Sequence, residues 1–172
     1  TIDKVNENVI LNRDVGYIGT ANSFRLNDSL RYGMNIEGED KRTVEALDSL
    51  IKNNTLKQNT LLHRNVDDDF LGNKFDIMTW GKSASEIIER IKNSKITEFS
   101  DAAYVSTSAV EKVNVFQNRK VKLKIRAKEG TNAFITNNLS ESEIILGRNQ
   151  KFKVVDVVEM ENDVIQMTLE TD

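Results

Sequence analysis

The chain has 172 residues, 38% apolar and 30% charged, with a net charge of −3, no cysteine, no proline and one histidine. This suits a soluble globular domain that buries a core without disulfides, and it excludes thiolate chemistry, cysteine-ligated metals and a multi-histidine metal centre. The mildly acidic balance supplies no global field to hold nucleic acid, and no apolar run is long enough to span a membrane.

The first sixty residues read as helical. Phe24, Leu26, Leu30 and Met34 follow rough helical spacing, with Gly33 placed to end that helix. Val44, Leu47, Leu50 and Ile51 form a clearer stripe within Glu39–Asn53. Asp67-Asp68-Asp69 lacks the glycine and terminal glutamate of a calcium loop and reads as a solvated turn. Ser83 with Glu86 is a capping-box pattern that opens a short helix carrying Ile87, Ile88 and Ile91.

From about residue 100 the apolar period changes to two. Val121, Leu123, Ile125 and Ala127 alternate with Lys120, Lys122, Lys124 and Arg126, as in a half-buried strand with a solvated cationic face. No aromatic residues interleave with those lysines, so the stripe is not read as a nucleic-acid surface. Phe134-Ile135, Ile144–Leu146, Phe152–Val158 and Val164–Leu169 read as further strands, with Met160–Asp163 as a hairpin turn between the last two. The expected class is α+β, helices first and then a mainly antiparallel sheet. Residues 1–58 form the helical part and 59–172 the mainly β part of one domain, 1–172, because the helices alone are too few to fold independently. The polar start at Thr1 suggests a processed or excised piece of a longer polypeptide.

Three short stretches carry the chemistry: Leu62-His63-Arg64, Tyr104-Val105-Ser106-Thr107-Ser108, and Ser140-Glu141-Ser142-Glu143-Ile144-Ile145-Leu146. In the last, Glu141 and Glu143 stand two apart before an apolar strand. Residues at i and i+2 of a strand share a face, where like charges repel. Such a pair is easier to understand if a cation, or a cation-like transition state, visits the space between them. Each stretch alone has a plainer meaning: a solvated strand face for Glu-x-Glu, local backbone bonds for the hydroxyls, a surface charge for Arg64, and core or groove packing for Phe116 and Tyr17. His63 faces away from Arg64 in a strand and is read as structural.

Taken together and in this order, the Arg, Ser-Thr-Ser and Glu-x-Glu stretches resemble the motif set of the bacterial-toxin-like mono-ADP-ribosyltransferases, in the branch that includes the actin-modifying binary toxins. Tyr17 and Asn27-Asp28-Ser29-Leu30-Arg31 are similar to that family's helical segment, and Phe116 with Arg119 to its Phe-x-x-Arg loop. Ile144–Leu146 followed by Gly147-Arg148 resembles its apolar strand and Arg-containing turn. The chain departs from the pattern at Asn137-Asn138, where an aromatic residue is usual, at Gly147, where proline is common, and at Asn65, where a second arginine often follows the first.

The resemblance implies two packed, mainly antiparallel sheets forming an NAD cleft, and transfer of ADP-ribose from NAD to an arginine of a target protein such as actin, with slow NAD hydrolysis as a side activity. It implies NAD as substrate, no metal, and a secreted toxin, a toxin domain delivered into a host cell, or a phage-delivered modifier. Arg64 and Arg119 would bind the pyrophosphate, since arginine pairs with phosphate oxygens bidentately and stays charged. Glu143 would face the oxocarbenium-like ribosyl cation, as in glycoside cleavage. Ser106 would hold Glu143, Phe116 would stack near nicotinamide, Tyr17 and Asn27 would complete the cofactor site, and Glu141 would orient the acceptor guanidinium. Two other readings stand beside this one. A catalytically silent domain of the same fold would dock a partner protein. Glycoside hydrolysis would need aromatic sugar platforms, which one tryptophan supplies poorly.

Overall fold

The computed structural model describes residues 2–11, 16–17, 20–111, 118–136 and 143–172. Three helices come first: α1 (Ile2–Ile10), α2 (Thr20–Arg31) and α3 (Gly38–Lys52). Then follow β1 (Thr60–Val66), α4 (Asp68–Phe75), α5 (Ala84–Ser94), β2 (Glu98–Asp101), β3 (Val105–Ser108), β4 (Val121–Ala127), β5 (Ala133–Ile135), β6 (Glu143–Leu146), β7 (Gln150–Met160) and β8 (Val164–Thr171). The α+β class and the change from helices to strands are as expected.

Local signals account for several of these elements. Ser83 accepts a hydrogen bond from the Glu86 amide at 3.3 Å, the N-cap half of the capping box, and its hydroxyl donates to the Glu86 carboxylate at 3.1 Å. A cap of this kind contributes about 1 kcal/mol. On α3 the stripe Val44, Leu47, Leu50 and Ile51 is buried. Gly33, just past α2, has φ +67°, a left-handed conformation that glycine adopts without a Cβ clash. On β4 the apolar residues are buried and the lysines half-buried at most, as the alternation requires. A short 3-10 turn, Glu161–Asp163, joins β7 to β8.

Two expectations need correction. Asp67–Asp69 is not a free turn. Asp67 stands at the N-cap position of α4 without a side-chain cap bond, and Asp68 and Asp69 lie in its first turn, where carboxylates meet the positive end of the helix dipole. Leu71 and Phe75, one helical turn apart, bury its inner face. The sheet count also differs. The strands form one hydrogen-bonded series, β2-β7-β8-β4-β1-β3-β6-β5. Its neighbours are antiparallel except β4 and β8, which run parallel. The series is nevertheless almost divided. β1 and β4 pair over seven positions, whereas β1 meets β3 at the single pair His63–Ser108. The result is two wings hinged at one point, close to the two packed sheets that were expected.

Burial explains the bend. Leu62, Leu123 and Ile125 of the larger wing share one apolar cluster with Val105, Ile144 and Leu146 of the smaller wing, and α4 and α5 add Leu71, Phe75, Ile87 and Ile91. A second cluster lies on the other face of the small wing. There Ile10, Leu26, Leu47 and Leu50 of the N-terminal helices pack on Tyr104, Phe134 and Ile145. Alternation along β6 thus sends Ile144 and Leu146 to one core and Ile145 to the other. The turn after β6 is pressed against α3: a Cβ on Gly147 would lie 3.0 Å from the Ile51 side chain. Arg148 beside it pairs bidentately with Asp48 of α3, at 3.1 and 2.6 Å, so this arginine fastens the turn to the helices.

Candidate active site

The hinge between the wings is where the three motif stretches converge. Strand pairing sets His63 against Ser108, and Ser108 against Glu143, in a row across β1, β3 and β6. Arg64 is the next residue along β1, and Ser106 shares a strand face with Ser108. A cleft of about 330 Å³ opens here, walled by Arg64, Ser106, Glu143 and Arg119, with Tyr17 and Asn27 coming from the helical side. That volume is within the ordinary range for small-molecule sites.

The hydrogen bonds show how the cleft is held. Arg64 donates from Nη1 to the Ser106 carbonyl at 2.8 Å, which ties β1 to β3 beside their single paired position. Tyr17 is 1% exposed, and its hydroxyl lies 2.6 Å from Ser106 Oγ. Asn27 Nδ2 donates to the same hydroxyl at 3.1 Å, and Asn27 Oδ1 accepts from the Tyr104 amide at 3.1 Å. Asn27 and Tyr17 thus form a buried relay that fixes the Ser106 side chain from α2. On β3 the neighbouring Thr107 donates to the Ile144 carbonyl at 2.7 Å and locks β3 to β6.

The charges in this cleft oppose one another. Burial presses the Arg64 guanidinium below its ordinary pKa; Tyr17 and Asp101 counter that, and the nearby Arg31 and Arg119 reinforce it. The Tyr17 phenol is pushed up, first by burial and then, among the charges, by Glu143, against the hydrogen bonds from Ser106 and Asn27. Glu143 is 8% exposed, a nearly buried carboxylate at the start of β6. Arg119 lies 5.9 Å from the centre of the Phe24 ring and 3.7 Å from Asp67. Arg31 of α2 and Lys74 of α4 also line the cleft. Arg31, Arg64, Arg119 and Lys74 thus line the same cleft as the buried Glu143, with Asp28, Asp67 and Asp69 also in its wall, a mixed lining that offers cations to a ligand's negative charges and a carboxylate to a developing positive one.

A family model described as ADP-ribosyltransferase exoenzyme matches residues 12–172. The chain belongs to this family of NAD-dependent ADP-ribosyltransferases. Solved structures share the fold. The ADP-ribosyltransferase toxin Plx2a from Paenibacillus larvae superimposes with a TM-score of 0.79 at 20% identity, over 98% of this chain and 86% of that one. The C3 exoenzyme of Clostridium limosum gives 0.76 at 23% identity, over 97% and 84%. C3stau2 from S. aureus, solved with NAD, gives 0.75 at 20% identity, over 98% and 87%. No curated protein matches the sequence significantly.

Of the site residues expected from sequence, Arg64, Ser106, Glu143, Arg119, Tyr17 and Asn27 share the one cleft. Phe116 and Glu141, with Asn137 and Asn138, lie outside the described residues. His63 is 9% exposed and on the opposite face from Arg64, in keeping with a structural role. Three further cleft residues escape a reading of the sequence for site chemistry. Arg31 ends the Asn27–Arg31 segment and could be found from it. Phe24 reads as part of a helical stripe, yet it is 42% exposed at the cleft. Lys74 has no local signal, because it belongs to α4.

Proposed function

We propose that this ADP-ribosyltransferase moves ADP-ribose from NAD to an arginine side chain of a protein, and hydrolyses NAD slowly when no acceptor is present. The observation that carries the reading is that Arg64, Arg119, Ser106 and Glu143 line one cleft. NAD, the substrate, brings a pyrophosphate and a scissile bond whose cleavage leaves positive charge on ribose. The guanidiniums answer the first. Arg64 keeps one N–H on the Ser106 carbonyl and has others to offer the dinucleotide. Glu143 answers the second, stabilising the oxocarbenium-like transition state more than the ground state. Ser106, steadied by Tyr17 and Asn27, keeps the β3 side of the cleft in register with Glu143. Tyr17 and Asn27 accordingly act through Ser106 in this reading.

The arginine acceptor rests on Glu141, which stands two residues before Glu143. A protonated guanidinium must be held, aimed and relieved of a proton, and a second carboxylate on the approach side does all three. The likeness to an ADP-ribosyltransferase toxin supports a secreted or delivered enzyme, and a host protein such as actin is the acceptor in this reading. The clusters shared between α1–α3 and the small wing support treating residues 1–172 as one catalytic domain.

The deciding experiment is incubation with NAD and measurement of free nicotinamide, with and without agmatine as acceptor. Release that agmatine accelerates, with agmatine modified, supports the proposal. Absence of release from the folded protein would favour the silent docking domain. NAD is also expected to raise the melting temperature by mass action. Arg64→Lys keeps the charge but loses the planar fork and the Ser106 contact geometry, so NAD affinity is expected to fall about tenfold, as read by titration of tryptophan fluorescence or melting. Unchanged affinity would remove Arg64 from the dinucleotide site.

A further inference from the structure

Asp101, at the end of β2, is 2% exposed and belongs to none of the three motif stretches. Its Oδ1 accepts from Arg31 Nε at 3.2 Å and from the Ala103 amide at 3.0 Å, and its Oδ2 accepts from Arg31 Nη2 at 3.0 Å. Lys74 Nζ stands 3.7 Å from Oδ1 and donates to the Ser100 carbonyl at 3.0 Å. Arg31 comes from α2 and Lys74 from α4, and both line the cleft. We infer that Asp101 is a positioning residue for dinucleotide binding: its buried carboxylate holds Arg31 and Lys74 together at one wall, as a paired cation facing the phosphates. This rests on the NAD reading above.

The charge balance argues for more than a structural role. One fork from Arg31 and one backbone amide already satisfy a buried carboxylate. Lys74 adds a second cation whose side chain is only 9% exposed, and the cluster is left with an excess positive charge beside Arg64. Asp28 lies 3.5 Å from Arg31, but its side chain is 64% exposed and water screens it. Burial, and then Arg31, press the Lys74 ammonium below its ordinary pKa, against the pull of Asp101. The Ser100 carbonyl, the Phe70 ring at 5.9 Å and the last turn of α4 hold Lys74 in place, yet Arg31 and Lys74 together carry one charge more than Asp101 balances, and a bound phosphate would relieve it. Without the carboxylate, Arg31 and Lys74 would repel each other and turn toward water. The Asp101 carboxyl stays ionised: burial opposes this, but Arg31, the Ala103 amide and Lys74 together hold it below the usual carboxylate range.

The test compares the full chain with Asp101→Asn and Lys74→Gln, measuring melting temperature, NAD dissociation constant, and kcat and KM for nicotinamide release. Asp101→Asn is expected to raise KM and Kd for NAD about tenfold while kcat stays within about threefold, since only the orientation of binding groups is disturbed. Lys74→Gln leaves the Asp101–Arg31 pair intact and is expected to weaken NAD severalfold while the protein stays folded, its melting temperature lowered only by the loss of the Ser100 contact. A folded Asp101→Asn protein with unchanged Kd, or one that loses kcat alone, overturns the inference. If Asp101→Asn does not fold, an unchanged Kd in Lys74→Gln overturns it. Failure of the unaltered chain to bind NAD would instead reject the cofactor reading itself.

Discussion

Glu143→Gln is expected to remove both ADP-ribose transfer and NAD hydrolysis, lowering kcat for nicotinamide release by about a hundredfold to a thousandfold. The substitution keeps the size of the side chain and much of its hydrogen bonding. It deletes the charge that faces the developing ribosyl cation, and that charge acts in a nearly buried position where electrostatics are weakly screened. Its field already reaches the Tyr17 phenol. Because the effect is confined to the transition state, kcat and kcat/KM should fall together while NAD binding is little changed. The fold should survive, since Ile144, Ile145 and Leu146 carry the packing of β6 and Glu143 does not. The measurement is single-turnover nicotinamide release beside a melting curve. Near-normal release by a folded Glu143→Gln protein would refute the mechanism.

Glu141→Gln is expected to separate the two activities. Transfer to a guanidino acceptor should drop by about a hundredfold, the order expected for general-base loss, while cleavage of NAD by water persists in large part. The ribosyl cation forms beside Glu143, whereas the acceptor arrives charged and must be oriented and deprotonated as the new bond closes. Water carries no charge to be paired and needs far less aiming. Agmatine modification and nicotinamide release, measured on the same preparation, give both numbers. Equal loss would put Glu141 in the cleavage step, and equal retention would remove the reason for choosing arginine as the acceptor.

The motifs are legible in the sequence because each is local. A capping box, a stripe on α3, an alternating strand and an i, i+2 carboxylate pair are all written within a dozen residues, and their periods follow from backbone geometry alone. The same reasoning fails at α4. Three aspartates look like a turn when read locally, but Leu71 and Phe75 gain a core by adopting helix, and the acids then stabilise its first turn. Lys74 stays hidden for that reason. Asp101 stays hidden because a lone aspartate at a strand end carries no pattern; its meaning comes from Arg31, seventy residues earlier in the chain.

What the sequence determined by itself was the change from helices to strands, the order of the chemical groups and, through the resemblance they carry, one enzyme class. What only the tertiary structure decided was that these groups meet. Arg64, Ser106 and Glu143 belong to three strands whose adjacency depends on long-range pairing, and β1 pairs with β3 at a single position. The two wings close there because apolar residues from both fill one core, while the N-terminal helices fill a second against the back of the small wing. Hydrophobic burial of this kind is non-directional and leaves no local spacing to read. It brings the hinge, and with it the cleft, into being only once the whole chain has folded.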